Sequence, residues 1–320
     1  MKLGVFTTVL SDRDTEAAFK FLSERGVECV EIGTGGFPGN KHLNPAEALA
    51  DEGKLNAFRE LLKRYNLTVS ALSIHSNPIH PDADVRAVAD SDYKNSLKLA
   101  EKLGVDTLIT FSGCPGDHPG AKYPNWVTYT WPGDYKTILD FQWNEVLIPY
   151  WEKAVKVAEN HGVKVALEMH PGFNVFNPSS LLRLREAVGP TIGANFDPSH
   201  LYWQGIRPAE AIKALKGAIY HFHAKDTKMD VANTSVNGVL DIGSLDDMVN
   251  RPWLFRSVGY GNDALEWKEI ISTLRLVGYD GALSIEHEDA LMSIEEGVSK
   301  AIDFLKPLLM REKALEVFWA

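Results

Sequence analysis

The 320-residue chain is short of cysteine and of long apolar runs, and each shortage excludes a class of protein. It contains two cysteines, Cys29 and Cys114, in apolar segments that resemble different strands. We therefore expect no disulfide framework and a reducing, cytoplasmic environment. No run of about 18 apolar residues occurs, and Met1 leads into a strand-like segment without the pattern of a signal peptide. We expect neither export nor a membrane span.

An excess of basic residues is also missing. The chain has 33 lysines and arginines against 43 aspartates and glutamates, a formal net charge of −10. Such a surface repels phosphate backbones and anionic lipid headgroups, so we expect no nucleic-acid and no membrane partner. The composition, 45% hydrophobic and 24% charged, is typical of a globular enzyme.

Linkers and low-complexity stretches are absent, which favours one catalytic domain over residues 1–309. Residues 310–320 form a C-terminal tail with an apolar end. Because one domain does not need these apolar side chains, we expect the tail to pack on a neighbouring subunit of a homo-oligomer.

Short apolar runs alternate with longer segments of helical period. This alternation is the pattern of βα units around a parallel sheet. Eight strands are predicted at 3–7, 29–32, 68–74, 107–111, 164–169, 192–196, 218–223 and 282–285. Eight helices are predicted near 14–25, 51–64, 84–103, 135–161, 178–188, 208–217, 265–276 and 288–309. Eight units of each kind predict an α/β fold, a closed (β/α)₈ TIM barrel.

Four helix-to-strand junctions carry a glycine, which suits the left-handed residue that closes a helix. They are Gly26, Gly104, Gly162 and Gly278. Two long segments, 112–133 and 226–263, follow strands rather than helices. Long loops at that end of a barrel are usually functional.

The carboxyl ends of barrel strands converge on one mouth, so ionisable residues there are candidate site residues. Side chains alternate along a strand, and the inward positions of four neighbouring strands end in polar groups. These groups are Glu168, Asp197, His223 and Glu286. Three carboxylates this close would repel one another, and a bound cation removes the conflict. We predict one divalent metal ion, with Mn²⁺ favoured over Mg²⁺, Co²⁺ and Zn²⁺.

Several segments together resemble the xylose isomerase-like TIM-barrel superfamily of sugar isomerases and epimerases, over nearly the whole chain. The matching segments are Leu167-Glu168-Met169-His170, Asn195-Phe196-Asp197-Pro198-Ser199-His200, His221-Phe222-His223-Ala224-Lys225-Asp226, Val258-Gly259-Tyr260-Gly261 and Gly278-Tyr279-Asp280-Gly281. The resemblance implies that the four predicted metal ligands bind the ion. It also implies that Glu168 and Glu286 carry the proton and that His200 holds a substrate hydroxyl.

The chemistry of the residues agrees with that assignment. A divalent ion stabilises the enediolate that forms when a proton leaves the carbon beside a carbonyl. Glu168 and Glu286, on opposite sides of the mouth, can then remove and return a proton. We predict that the substrate is a sugar or polyol, with a neutral one favoured over a sugar phosphate. Further substrate-binding candidates are His75, Glu31, Lys225, which either steadies the enediolate or pairs with Asp226, and Arg256, which precedes the late glycine-rich loop. An aromatic loop with Trp126, Tyr129 and Trp131 is expected to wall the substrate, with a protein interface as the alternative.

Three other functions remain open. A lyase or dehydratase acting on a keto-sugar or inosose would use the same metal and enediolate. An endonuclease IV-like phosphodiesterase is disfavoured, because its additional metal-binding residues are lacking and the chain is acidic. A non-catalytic binding barrel would have lost a metal ligand, whereas all four are present here.

Overall fold

Eight parallel strands close into a barrel in the computed structural model, which describes residues 1–313 and 315. The barrel strands are β1 (Lys2–Phe6), β2 (Cys29–Gly33), β3 (Thr68–Ser73), β4 (Thr107–Phe111), β5 (Lys164–Glu168), β6 (Ile192–Phe196), β7 (Ile219–Ala224) and β10 (Ala282–Ile285). They follow this order around the ring, and β10 pairs with β1 to close it. The predicted TIM barrel is therefore confirmed, and the predicted strands agree with the observed ones within one residue at each end.

Helices surround the barrel. They are α1 (Thr15–Glu24), α2 (Pro45–Ala50), α3 (Glu52–Arg64), α4 (Ala83–Leu103), α5 (Gly133–Phe141), α6 (Ile148–Asn160), α7 (Pro178–Val188), α8 (Ser199–Tyr202), α9 (Pro208–Ala214), α10 (Val231–Asn237), α11 (Ala264–Leu276) and α12 (Ile294–Leu305). A 3₁₀ turn spans Thr7–Leu10 and a π-helical turn spans Gln142–Leu147. All four predicted junction glycines have φ between 66° and 90°, in the left-handed region.

Three helix predictions were wrong in their bounds, and the one at 208–217 ends early, at Ala214. The helix predicted at 135–161 is α5 and α6 joined by the π-helical turn, which adds one residue to a turn without ending the helix. The helix predicted at 288–309 begins at Ile294, because Ser293 caps it by accepting a hydrogen bond from the Glu296 backbone N–H. The residues before Ser293 form a loop in which Asp289 accepts hydrogen bonds from the Ser257 and Leu291 backbones.

The main hydrophobic core lies between the barrel and its helices. Its largest fully buried side chains include Trp151, Trp267 and Phe222. Inside the barrel, Ala71, Ile109 and Ala166 form a small separate cluster. Large apolar residues thus face the helices, and the interior keeps room for polar groups toward the carboxyl ends of the strands.

The long segment after β7 contains more structure than the loop predicted there. Strands β8 (Asp226–Met229) and β9 (Trp253–Arg256) pair antiparallel, and α10 lies between them. This hairpin rests on α8, since Trp203 and Trp253 stack with ring centroids 4.8 Å apart. It therefore carries Phe255 to the mouth of the barrel.

Most of the predicted C-terminal tail, including Val317, Phe318 and Trp319, lies outside the described residues. Its contact with a second subunit stays a prediction. Within the described residues, no helix combines the length and the apolar character that crossing a membrane requires.

Candidate metal centre

The four predicted ligands meet at the carboxyl ends of four consecutive barrel strands. Glu168 ends β5, Asp197 follows β6, His223 lies in β7 and Glu286 follows β10. One ligand atom from each lies within 4.8 Å of all the others. Three of the side chains are nearly inaccessible, whereas Glu286 is 16% exposed. The cluster is thus buried at the bottom of the mouth, and Glu286 is its most open member.

Three atoms of this cluster are buried without a hydrogen-bond partner among the described residues: Oδ2 of Asp197, Nδ1 of His223 and Oε2 of Glu286. His223 Nδ1 lies 3.1 Å from both Glu168 Oε2 and Glu286 Oε2, but not in hydrogen-bonding geometry. Buried polar atoms that lack a hydrogen bond are costly unless a ligand satisfies them. Oxygen-rich donors with one imidazole, converging in this way, fit a divalent cation.

Burial and neighbouring cationic groups shift the pKa values of the clustered carboxylates in opposite directions. Burial raises the pKa of Asp197 above its usual value, although Lys225 and His200 act against the change. Burial also acts to raise the pKa of Glu168, but His75, His200 and His223 outweigh it and hold this pKa well below its usual value. The pKa of Glu286 is lowered likewise by Lys225 and His223 despite burial. The two glutamates are therefore kept ionised.

Glu31 lies beneath the cluster and orients His223. Its carboxylate accepts a hydrogen bond from His223 Nε2 at 2.8 Å, and it also contacts the hydroxyls of Ser73 and Ser284. Burial would lower the pKa of His223, but Glu31 and Glu286 raise it well above its usual value. Glu31 is completely buried and both its oxygens are engaged. Its contacts thus hold the ring of His223 in place, and the substrate-binding role predicted for Glu31 stays a prediction.

Glu168 is held by a similar network. Its Oε2 lies 2.9 Å from Nε2 of His75 and accepts a hydrogen bond of 2.9 Å from Nδ2 of Asn195. Asn195 Oδ1 in turn lies 3.0 Å from Nδ1 of His221. His200 Nε2 is 3.3 Å from the second oxygen, Oε1. His75 and His200 thus both reach the cluster, and their substrate-binding role stays a prediction.

Lys225 does not pair with Asp226, which was one of the two roles considered for it. Its Nζ lies 3.1 Å from Glu286 Oε2, 3.3 Å from Asp197 Oδ2 and 3.0 Å from Glu288 Oε2. Burial would lower the pKa of Lys225, but these carboxylates raise it well above its usual value. A charged ammonium group therefore lies at the edge of the cluster of predicted ligands.

Arg256 is placed differently from the other predicted substrate-binding residues. Its Nε donates to Oδ2 of Asp289 at 3.0 Å, and its guanidinium lies over the Tyr260 ring, 5.6 Å from the centroid. The structure records no contact of Arg256 with the four clustered ligands. Since Asp289 is fully buried, this ion pair anchors the loop after β10.

The aromatic residues beside the cluster are not those predicted from the loop at 112–133. Tyr129 is 66% and Trp131 71% exposed, and Trp126 packs edge-on against Phe176. Phe255 instead packs against His200 and lies under the Lys225 ammonium, 4.7 Å from its ring centroid. Phe6 stacks on His223 with centroids 5.6 Å apart.

Sequence reasoning gave no role to Asn195, Ser284 and Phe255. Asn195 and Ser284 lie on the inward faces of β6 and β10, and the alternation rule that found Asp197 and Glu286 also identifies these positions. Phe255 has no comparable signal, because it reaches the site through the pairing of β8 with β9.

Comparison with known proteins identifies the family of the chain. Residues 19–308 match the family model described as xylose isomerase-like TIM barrel. A relative from Bacillus subtilis (strain 168), the uncharacterized protein YfiH, is 41% identical over 309 residues, which cover 96% of this chain and 98% of the relative.

Solved structures share the fold at low sequence identity. A D-tagatose 3-epimerase-like protein matches with a TM-score of 0.63 and 20% identity, over 96% of this chain and 98% of its own. The probable 3-DHS dehydratase AsbF from Bacillus anthracis matches with a TM-score of 0.66 and 18% identity, over 96% and 99%. The IOLI protein, solved with a zinc atom, matches with a TM-score of 0.64 and 17% identity, over 97% and 98%. Since the family model covers most of the chain, this protein belongs to the xylose isomerase-like TIM barrel family.

Proposed function

We propose that the protein is a divalent-metal-dependent isomerase or epimerase that transfers a proton on a ketose or a related polyol. The observation that carries this proposal is the convergence of three carboxylates and one imidazole, three of whose ligand atoms are buried without a hydrogen-bond partner in the described chain. Membership of a family whose solved structures include a D-tagatose 3-epimerase-like protein supports the reaction class.

Glu168, Asp197, His223 and Glu286 would hold the ion, and their oxygen-rich character favours Mn²⁺. When bound, the ion polarises the substrate carbonyl and stabilises the negative charge of the enediolate. Glu31 and Asn195 orient two of the ligands, since their hydrogen bonds fix the His223 ring and one oxygen of Glu168.

Glu168 and Glu286 are the residues that move the proton. Two barrel strands, β6 and β7, separate β5 from β10, so the two glutamates face each other across part of the mouth. Their neighbours keep both side chains ionised, so each is in the unprotonated form that a base requires. A proton taken by one glutamate and returned by the other to the opposite face gives epimerisation, whereas one glutamate suffices for isomerisation.

His200 and Lys225 are suited to substrate oxygens. Burial lowers the pKa of His200, so its imidazole is neutral at pH 7 and can both accept and donate a hydrogen bond. The Lys225 ammonium lies 3.4 Å from His200 Nε2 and can donate to an oxygen that gains negative charge.

A dehydratase acting on a keto-sugar or inosose is the second candidate. The Lys225 ammonium is the observation that favours it, because a proton donor beside the base Glu286 can assist a leaving hydroxide. The probable 3-DHS dehydratase among the similar structures shows that the fold accommodates a protein of that name.

Solvent deuterium incorporation tests the proposal and separates the two candidates. The Mn²⁺-loaded protein is incubated in D₂O with a panel of ketoses and inososes, and the products are analysed by NMR and mass spectrometry. We expect label on the carbon beside the carbonyl without loss of water, whereas loss of water would identify the dehydratase. No exchange and no water loss across the panel would contradict both.

The variant Glu286→Gln keeps the size of the side chain and removes the base. We expect exchange to fall by about 10²- to 10⁴-fold. Glu288→Gln is the matched control, since Glu288 also contacts Lys225 but is half exposed and outside the ligand cluster. Metal content of both variants, measured by elemental analysis, distinguishes loss of the base from loss of the ion.

A further inference from the structure

Asp226 follows the strand that carries His223, yet its carboxylate turns into the glycine-rich loop. Its Oδ2 accepts hydrogen bonds from the backbone N–H groups of Gly259, Gly261 and Asn262 at 3.0, 3.2 and 3.0 Å. Nε1 of Trp267 donates to the same oxygen at 3.2 Å. Several amide donors thus converge on one internal carboxylate.

The second oxygen of Asp226 is also satisfied. Oδ1 accepts hydrogen bonds from the Thr227 backbone N–H at 2.9 Å and from Nδ2 of Asn262 at 2.7 Å. The carboxylate is completely buried. Among the described residues its charge is therefore balanced by hydrogen-bond donors alone, as the charge of a bound anion would be.

Gly259 is required by the backbone conformation of this loop, and Gly261 is required by Asp226. Gly259 has φ of +90°, in the left-handed region. A Cβ on Gly261 would lie 2.5 Å from Oδ1 of Asp226, so only glycine allows the backbone to approach the carboxylate so closely. The shape of the loop is fitted to an anion that the protein itself supplies.

In barrels of this kind, the loops after the seventh and eighth strands and a following helix N-terminus are a frequent phosphate-binding site. Here the loop follows the seventh barrel strand and leads into α11. The backbone N–H groups of Gly259, Gly261 and Asn262 form an amide nest, and the carboxylate of Asp226 fills it. Asp263 accepts hydrogen bonds from the next N–H groups, those of Leu265 and Glu266. The donors that would hold a phosphate are already occupied.

Cationic side chains around the mouth are matched by carboxylates as well. Lys225 contacts Glu286 and Glu288, and Arg256 is bound to Asp289. A phosphate dianion placed here would have to displace an ion pair and would meet the acidic side chains released from it.

We propose that Asp226 is a specificity-determining residue, which occupies the place of a substrate phosphate and restricts the enzyme to unphosphorylated sugars or polyols. This inference rests on the proposed function, because only that proposal gives the protein a sugar or polyol substrate. The binding of inorganic phosphate to the loop can be measured independently of any reaction.

Thermal unfolding in phosphate tests the proposal on the metal-loaded protein. Asp226→Gly empties the nest, and we expect phosphate at about ten times its dissociation constant to raise the Tm of this variant by about 3 °C over chloride of equal ionic strength. The matched control is Asp14→Gly, which removes an aspartate cap from α1 but empties no nest. We expect phosphate to change the Tm of this variant and of the wild type by less than about 1 °C. An equal shift in all three proteins would overturn the proposal, as would no shift in Asp226→Gly.

Paired substrates test it without a variant, which matters if Asp226→Gly does not fold. Each ketose that exchanges deuterium is compared with its terminal phosphate ester on the wild type. We expect kcat/KM for the ester to be at least about 100-fold lower, as for a site that leaves a charged group unpaired. A preference for the ester contradicts the inference but not the proposed function. If no sugar exchanges at all, the proposed function fails, and the phosphate titration still decides the role of Asp226.

Discussion

The carboxylate of Glu31 accepts a hydrogen bond from Nε2 of His223 at 2.8 Å, and this bond leaves Nδ1 of the ring facing the three clustered carboxylates. Binding of a metal ion displaces the proton from Nδ1, and an imidazole that still donates a proton from one nitrogen then presents a lone pair on the other. The tautomer suited to metal binding is thus selected by a residue on β2, on the far side of the barrel from β7.

Replacing Glu31 with Gln should weaken metal binding. The amide cannot hold His223 in this tautomer as a carboxylate does, so we expect the affinity for Mn²⁺ to fall by about 10- to 100-fold. Isothermal titration calorimetry measures the change. Glu101→Gln is the control, because Glu101 lies 2.5 Å from His161 in a pair at the protein surface. Unchanged affinity in Glu31→Gln would remove the supporting role from this residue.

Lys225 is expected to stabilise the metal-free protein by compensating the charges of Asp197 and Glu286. Lys225→Met leaves these buried carboxylates without their counter-ion, and we expect a loss of about 3 kcal/mol in the free energy of unfolding without metal. Saturating Mn²⁺ should recover most of this loss. Urea denaturation with and without the ion measures both values, and the exposed Lys228→Met on β8 serves as control. A loss of equal size with and without metal would contradict this view.

Phe222 belongs to the hydrophobic core that supports the site. It stacks on Phe196 with centroids 5.6 Å apart on the helix-facing side of the barrel, and it is completely buried. Phe222→Ala should lower the free energy of unfolding by about 3–5 kcal/mol, since it removes buried area and leaves a cavity. Leu276→Ala, at a side chain that is 74% exposed, should change it by about 0.5 kcal/mol or less. Chemical denaturation of the two variants compares them directly.

Both cysteines should be unreactive in the folded protein. Burial raises the pKa of the Cys29 and Cys114 thiols to about 12. At pH 8, which is below this value, both remain protonated and shielded, so a thiolate-directed reagent should not label them. In denaturant the pKa returns to its ordinary value of about 8.5, and two thiols per chain should react. Rapid labelling of the native protein would show that one of these segments opens.

Sequence reasoning located the strands well and the helix ends less well. The strand bounds follow from short apolar runs, a local property. The start of α12 depended on which residues the loop at 287–292 contacts, and those contacts involve Ser257 and Arg256 from a distant part of the chain. The helical period of a sequence does not show where a tertiary contact competes with helix formation.

The sequence by itself determined the barrel and the four residues that meet at its mouth. Alternation along each strand sets which side chains face inward, and parallel strands bring their carboxyl ends together. Tertiary structure alone decided how the neighbouring groups pair: Glu31 with His223 across 192 residues, Lys225 with the clustered carboxylates, and Asp226 with the glycine loop. Such pairings depend on the register and closure of the barrel, because these set the distances between residues that no local pattern connects.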